Sequence, residues 1–261
     1  MMSTRLQDSR VAIIGLGLMG SSLALALHDR CATIAGYDNV PAVIDRAIKS
    51  KVIDYAIVPS GIVDEIDLLI IATPVGAILD WLAKIPIGFP GPLHLIDLGS
   101  TKAQIVDAMQ QLANRISPLG GHPLCGKETS GLSAADQSLF KDRLFVLTPL
   151  ERTQPATLSL AHELIEAIGS RPLMIDPDRH DRLTAAISHM PYLTSIALIE
   201  AAAHSNDELV WSLAASGFRD STRLAASDLT MMIDILFSNK EAVLNNVARM
   251  QQSLHELAEL I

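Results

Sequence analysis

Three short stretches of this chain carry residues whose types and spacing could do chemistry. The first is GGHPLCGKETSG, residues 120–131, where His122 stands between glycines and a proline. That composition suits a turn better than a helix or a strand. A histidine held on a turn suits proton transfer, since its unperturbed pKa of about 6.5 lies near working pH. Cys125 follows closely, but a Cys–His nucleophile would put both groups in one tight loop with nothing to orient the imidazole. The second stretch is DLGSTK, residues 97–102, at the end of the apolar run LHLI. Its Ser100 can touch a ligand and can also cap a following helix.

The third stretch is Gly15-Leu16-Gly17-Leu18-Met19-Gly20, a G-x-G-x-x-G pattern between the apolar run VAII and the helical run SSLALAL. A preceding strand and a following helix are the conditions under which this pattern binds a dinucleotide. Gly15 permits the tight turn, Gly17 lets backbone approach a pyrophosphate, and Gly20 lets helix and strand pack closely. Asp38 ends the next β-forming run, TIAGYD, where this fold places an acid on the adenosine ribose hydroxyls. A carboxylate there repels a 2′-phosphate, and Asn39 and Val40 bring no cation, so the expected cofactor is NAD rather than NADP. Thr73-Pro74 closes the run DLLIIATP and is expected to line the nicotinamide side.

The elements that must position these residues alternate. Strands are expected at 11–15, 33–38, 67–74, 93–100, 143–149 and 171–176, with helices at 19–30, 41–50, 101–115 and 156–169. This predicts an α/β, Rossmann-type domain with a mostly parallel sheet over residues 1–177. From 178 the strand signal ends. Helical periodicity covers 178–205, and further helices are expected at 206–215, 229–238 and 240–260, with Ser205-Asn206, Ser227-Asp228 and Asn239 as N-cap choices. Pro191 cannot donate to the carbonyl of Ile187, so the long helix should kink there, beside His189. The helical segment 178–261 is thin for independent stability, and packing against a second copy predicts a homodimer through it.

Composition narrows the partners. A net charge of -9 argues against nucleic acid, which needs a basic footprint. Two cysteines, Cys31 and Cys125, make no disulfide framework and suit a reducing cytoplasm. The uncharged run 11–27 resembles a signal-peptide core, yet its glycines and serines, and Asp8 before it, argue against secretion, and it is short for a membrane span. The histidines are scattered without metal-ligand spacing, so no metal is expected.

GLGLMGSSLA, DLGSTK, GGHPLCGKETSG, SHMPY and GFRDSTRLA, in that order, resemble the prephenate and arogenate dehydrogenases of tyrosine biosynthesis, over about residues 10–250. The resemblance implies oxidative decarboxylation of a 4-hydroxycyclohexadiene with NAD or NADP. It implies that His122 takes the hydroxyl proton, that Ser100 hydrogen-bonds near that hydroxyl and the nicotinamide, and that Arg223 grips a substrate carboxylate. His189, Tyr192 and Lys127 are further substrate-side residues. Relatives often carry histidine where this chain has Tyr192, and Lys127 departs from a small polar residue, so substrate choice is expected to turn on these two. The alternatives are a β-hydroxyacid dehydrogenase-like oxidoreductase and a non-enzymatic NAD-binding regulator. The first calls for a catalytic lysine in the helical segment, and no lysine occurs between Lys141 and Lys240. The second needs the glycine turn but not His122 and Arg223 together.

Overall fold

A computed structural model describes residues 4–58, 63, 65–127 and 129–261. Glu128, within the histidine stretch, lies outside the described residues. The chain divides into two compact units, Met1–Pro177 and Asp178–Ile261.

The first unit is built on an eight-stranded sheet in the order β3-β2-β1-β4-β5-β6-β7-β8. Its strands are β1 (Arg10–Ile14), β2 (Thr33–Tyr37), β3 (Tyr55–Ala56), β4 (Leu68–Ile71), β5 (Leu93–Asp97), β6 (Ile116–Pro123), β7 (Leu144–Pro149) and β8 (Arg171–Met174). All neighbouring pairs are parallel except β6 with β7. The helices are α1 (Leu18–Leu27), α2 (Pro41–Lys49), α3 (Val75–Gly88), α4 (Ala103–Gln110) and α5 (Pro155–Ala167). The unbroken apolar runs of β1 and β4 follow from burial on both faces, as parallel strands require. Alternate side chains serve opposite cores. Val11, Ile13, Leu68 and Ile70 meet Leu23 and Leu27 of α1 and Leu160 and Leu164 of α5. Ala12, Ile14, Leu69 and Ile71 meet Ile78 and Leu82 of α3 and Ile105 and Met109 of α4.

Besides the two-residue β3 and a short helix at 216–222, two longer elements were not expected from the sequence. One is α3, which carries Pro86 near its end. The other is β6, which corrects the reading of GGHP as a turn. Its residues 116–119 pair with β5 and its residues 119–123 with β7, so Pro118 stands where only one edge of the strand is laddered. Gly120 and Gly121 are there for lack of room. A Cβ on Gly120 would meet Thr148 Oγ1 at 2.0 Å, and one on Gly121 would meet the carbonyl oxygen of Asp97 at 2.6 Å.

The second unit is helical: α6 (Pro177–Thr184), a π-helical turn at Ala185–His189, α7 (Met190–Ala203), α8 (Leu209–Leu213), α9 (Ser216–Thr222), a 3-10 turn at Arg223–Ala226, α10 (Leu229–Ser238) and α11 (Lys240–Glu259). The expected single helix over 178–205 is thus interrupted by the π turn, which ends two residues before Pro191. A residue without an N–H breaks the i→i−4 ladder, and a widened turn is one of the ways a helix absorbs such a fault. Of the expected caps, Asp228 accepts from Met231 N at 2.8 Å at the start of α10. Asn239 does not cap α11 with its side chain; its amide is used elsewhere, as described below. The segment expected as a helix at 206–215 is only the five-residue α8, with Asp207 Oδ1 accepting from Leu209 N at 2.9 Å.

Helix α1 approaches β1 so closely that a Cβ on Gly20 would lie 1.9 Å from the carbonyl oxygen of Gly15. That atom is backbone and cannot rotate away. Gly20→Ala is therefore expected to lower unfolding stability by about 2 kcal/mol, in the range of overpacked cores. Urea denaturation checks this; a change within experimental error would mean that α1 slides without cost.

Candidate active site

The carboxyl edge of the first sheet gathers most of the chemistry-bearing residues of the first unit. Strand order reverses around β1, which has β2 on one side and β4 on the other. Ligands of open α/β sheets bind at such a switch point. Here Gly15 adopts φ 95°, a conformation that disfavours any side chain. Its N–H donates to the Tyr37 carbonyl at 2.8 Å, and a Cβ on it would strike the Ala72 carbonyl oxygen at 2.7 Å and Thr73 Cγ2 at 2.8 Å. The glycine turn, the end of β2 and the end of β4 thus touch one another.

The turn suits a pyrophosphate. A Cβ on Gly17 would meet nothing within 4 Å, so its backbone faces open space. Leu18 and Met19 open α1, half-buried, and the first-turn N–H groups have no intrahelical carbonyl one turn back to donate to. Leu16 is fully buried, and its N–H donates to Asp38 Oδ2 at 2.9 Å. Asp38 Oδ1 accepts from Val40 N at 3.0 Å. A carboxylate offers about four acceptor sites, so Asp38 retains capacity for the two hydroxyls of a ribose. Thr73 is half-buried and Pro74, exposed, opens α3. The residues present therefore fit a dinucleotide with an unphosphorylated ribose.

Ser100 lies just beyond the end of β5 and His122 near the end of the adjacent strand β6, both half-buried. His122 is a strand residue opposite Val146 of β7 rather than a loop residue. Between the two strand ends sits a group that sequence reasoning passed over. Asp97 is fully buried, as is Lys102, whose ammonium pairs with Asp97 Oδ2. Asp97 Oδ2 also accepts from Gly99 N at 2.8 Å, and its Oδ1 accepts from Gly121 N at 3.2 Å. Lys102 Nζ donates further to the Gly121 carbonyl at 2.7 Å. The signal was present as an acid at a strand end with a lysine five residues on, but it looked like an ordinary helix entry.

Lys127 is engaged with a carboxylate of its own chain: its ammonium lies 2.8 Å from Asp136 Oδ2. That bond, with two more from Ser138, holds the Asp136 carboxyl well below its ordinary range. Burial pushes the Cys125 thiol up to about 11, which leaves little thiolate for nucleophilic work.

In the helical unit, Tyr192 is packed with Met232 and Ile235 in a small apolar core. Arg223 is exposed and opens the 3-10 turn after α9. His189 ends the π turn and is 2 % exposed. Its Nδ1 accepts from Asn239 Nδ2 at 3.3 Å, while the same amide donates to the Asp181 carbonyl at 2.7 Å. Asp181 Oδ1 lies 2.7 Å from His180 Nδ1, and both are buried. Asn239 is the partner that sequence reasoning assigned to capping.

A doubly wound sheet with a glycine turn at its switch point and an acid on the neighbouring strand defines the dinucleotide-binding domain of a dehydrogenase. Two family models match in tandem: prephenate dehydrogenase, nucleotide-binding domain, over residues 23–174, and prephenate dehydrogenase, dimerization domain, over 176–261. The chain belongs to the prephenate dehydrogenase family. The prephenate dehydrogenase of Bacillus subtilis is 36% identical over 243 residues, which cover 90% of this chain and 65% of that protein, so the chain spans just under two thirds of that relative's length. The Aquifex aeolicus prephenate dehydrogenase, solved with hydroxyphenyl propionate and NAD+, is 30% identical with a TM-score of 0.90, covering 98% of this chain and 91% of that one. Arogenate dehydrogenase from Synechocystis is also 30% identical, with a TM-score of 0.83 and coverage of 96% and 91%. Membership in this family sets aside the β-hydroxyacid dehydrogenase-like alternative.

The His189 environment has a consequence for stability. Burial pushes its imidazole down to about 4, the charge of Asp181 opposing and that of His180 adding to the shift. A histidine neutral in the folded state but protonated near pH 6.5 when unfolded favours folding above that pH. Its contribution fades as pH falls from about 6.5 toward 4. Stability is expected to drop by about 2 kcal/mol between about pH 7.5 and pH 5 from this group, and His189→Gln should flatten that slope. Parallel urea titrations at the two pH values decide it; equal slopes in both proteins would assign the loss elsewhere.

Proposed function

We propose that this chain oxidatively decarboxylates prephenate to 4-hydroxyphenylpyruvate, or arogenate to tyrosine, with NAD. The observation that carries this is likeness over both units to a prephenate dehydrogenase solved with NAD+ and an aromatic ligand. The nicotinamide, when bound, accepts the hydride that leaves C4 of the substrate ring. His122 takes the proton of the 4-hydroxyl, a task suited to an imidazole at a half-buried strand end. Ser100 hydrogen-bonds near the same hydroxyl. Arg223 binds a substrate carboxylate, for which a planar guanidinium has the right pair of donors. Loss of CO2 then leaves an aromatic ring. His189 and Tyr192 belong to the substrate's surroundings as packed, orienting groups, and Lys127 acts through the loop that Asp136 anchors.

The working form in this reading is a homodimer through the helical unit. Its support is the dimerization-domain match and the apolar surface of this unit, where Leu213 is 79% and Phe237 70% exposed. An open groove of about 390 Å³ lined by Met190, Pro191, Leu198, Leu224 and Met250 adds to that surface. The free thiols of Cys31 and Cys125 suit the cytoplasm. Among the described residues no helix is long and apolar enough to cross a membrane.

Incubation with NAD and either prephenate or arogenate should produce NADH with at least one of them; absence of NADH with both overturns the reading. In the active protein, His122→Asn should lower kcat by about 100-fold or more, within the range of general-base catalysis. Arg223→Ala should act mainly by raising KM, as expected for lost binding. An undiminished kcat in the histidine variant would remove His122 as base.

Cofactor choice is tested separately. With the Asp38 carboxylate held just beyond β2 by hydrogen bonds from Leu16 and Val40, where a 2′-phosphate would be repelled, kcat/KM should favour NAD over NADP. Asp38→Ala should narrow that preference by about tenfold or more, the equivalent of about 1.4 kcal/mol. An unchanged ratio would show that selection lies elsewhere.

A further inference from the structure

We propose that Lys102 is a positioning residue for the reaction: its buried ammonium replaces a missing strand and fixes the peptide that carries His122. The inference rests on the reading of His122 as the base. The β5–β6 ladder ends at Ile96 opposite Leu119, two residues short of Gly121. On its β5 side Gly121 therefore faces no strand. Its N–H and carbonyl are met instead by Asp97 Oδ1 at 3.2 Å and by Lys102 Nζ at 2.7 Å. The carbonyl held by Lys102 belongs to the Gly121–His122 peptide itself. Its orientation sets the direction in which the imidazole leaves the strand.

The same pair reaches the other strand end. Asp97 Oδ2, paired with Lys102, accepts from Gly99 N at 2.8 Å, next to Ser100 in the chain. Lys102 thus ties together the two backbone segments that present the proposed base and its hydroxyl partner. Both charges are fully buried. An ion pair so placed gives little net stability compared with an apolar pair of the same volume. Its selectable property is geometry: three ammonium donors in a closed space define where a carboxylate and a carbonyl must stand. Neither Lys102 nor Asp97 touches the reacting atoms in this scheme.

The test combines kinetics with a double-variant cycle. Lys102→Met should lower kcat about 30-fold or more while both KM values stay within about threefold, since a displacement of about 1 Å at a reacting group costs on the order of 100-fold. Binding of NADH, followed by its fluorescence, should be unchanged. If Lys102→Met leaves too little folded protein, the charge-neutral variant Asp97→Asn/Lys102→Met is used, with the same kinetic expectation. The deciding measurement is Lys102→Met combined with His122→Asn. A residue acting through His122 adds little once His122 is gone, so the double variant should be within about threefold of His122→Asn alone. Losses that multiply would mean a general structural role and overturn the proposal, as would full kcat in Lys102→Met. A slow His122→Asn beside a fast Lys102→Met removes this proposal alone, whereas full kcat in His122→Asn removes the base assignment and this proposal with it.

Discussion

The carboxylate of Asp97 is the constraint around which the edge of the first sheet is organised. A charge with no exposure must be met from every side, because removing one partner of a buried pair costs about 3–5 kcal/mol. The chain meets it with one side chain and two backbone N–H groups, from Lys102, Gly99 and Gly121. Each of these ties down a different segment. The carboxylate therefore does for the strand ends what a ladder does for strand centres, and it does so where the ladder has run out.

A second constraint is the distance between backbones. Gly20 against Gly15, Gly15 against Ala72 and Gly121 against Asp97 are contacts in which a single methyl group would strike a carbonyl. Glycine at these points serves contact, with flexibility relevant at Gly15 alone, where φ is positive. The consequence is a sheet edge in which the turn after β1 and the ends of β2 and β4 form one continuous surface.

The alternation of VAII, TIAGY, LLII and LHLI with amphipathic stretches was legible, because central parallel strands are buried on both faces and leave unbroken apolar runs. The glycine turn was legible because its pattern stood between such a strand and a helix. ISPLGGHP was not recognised as a strand. Two prolines and two glycines are turn residues by every local rule, and only Thr148 and Asp97, distant in sequence, explain why nothing larger fits. Helix α3 was hidden by Pro86 near its end. The π turn was half legible: Pro191 announced a break, but the form of the break depends on how the ladder is repaired. Asp38 and Ser100 could be singled out from the ends of apolar runs, and His122 from its glycine and proline neighbours. Lys102 and Asn239 could not, since each also serves a distant backbone carbonyl, of Gly121 and of Asp181, that no local pattern marks.

The antiparallel pairing of β6 with β7 has an effect on what lies beside the site. A parallel crossover would have carried the chain to the far edge of the sheet. The reversal instead returns it by a hairpin-like connection that begins and ends at the carboxyl edge, between Pro123 of β6 and Leu144 of β7. This connection is fastened to its surroundings at several points: Asp136 N donates to Ser22 Oγ of α1 at 2.9 Å, Asp142 N to the Gly169 carbonyl at 2.8 Å and Ser170 Oγ to the Phe140 carbonyl at 2.7 Å, with the Phe140 side chain fully buried. The sheet thereby acquires a parapet beside α1, the helix that follows the dinucleotide turn, and Leu139 and Phe140 anchor it in the core. A change in this segment therefore reaches α1 through Ser22 and the approach to β8 through Gly169 and Ser170.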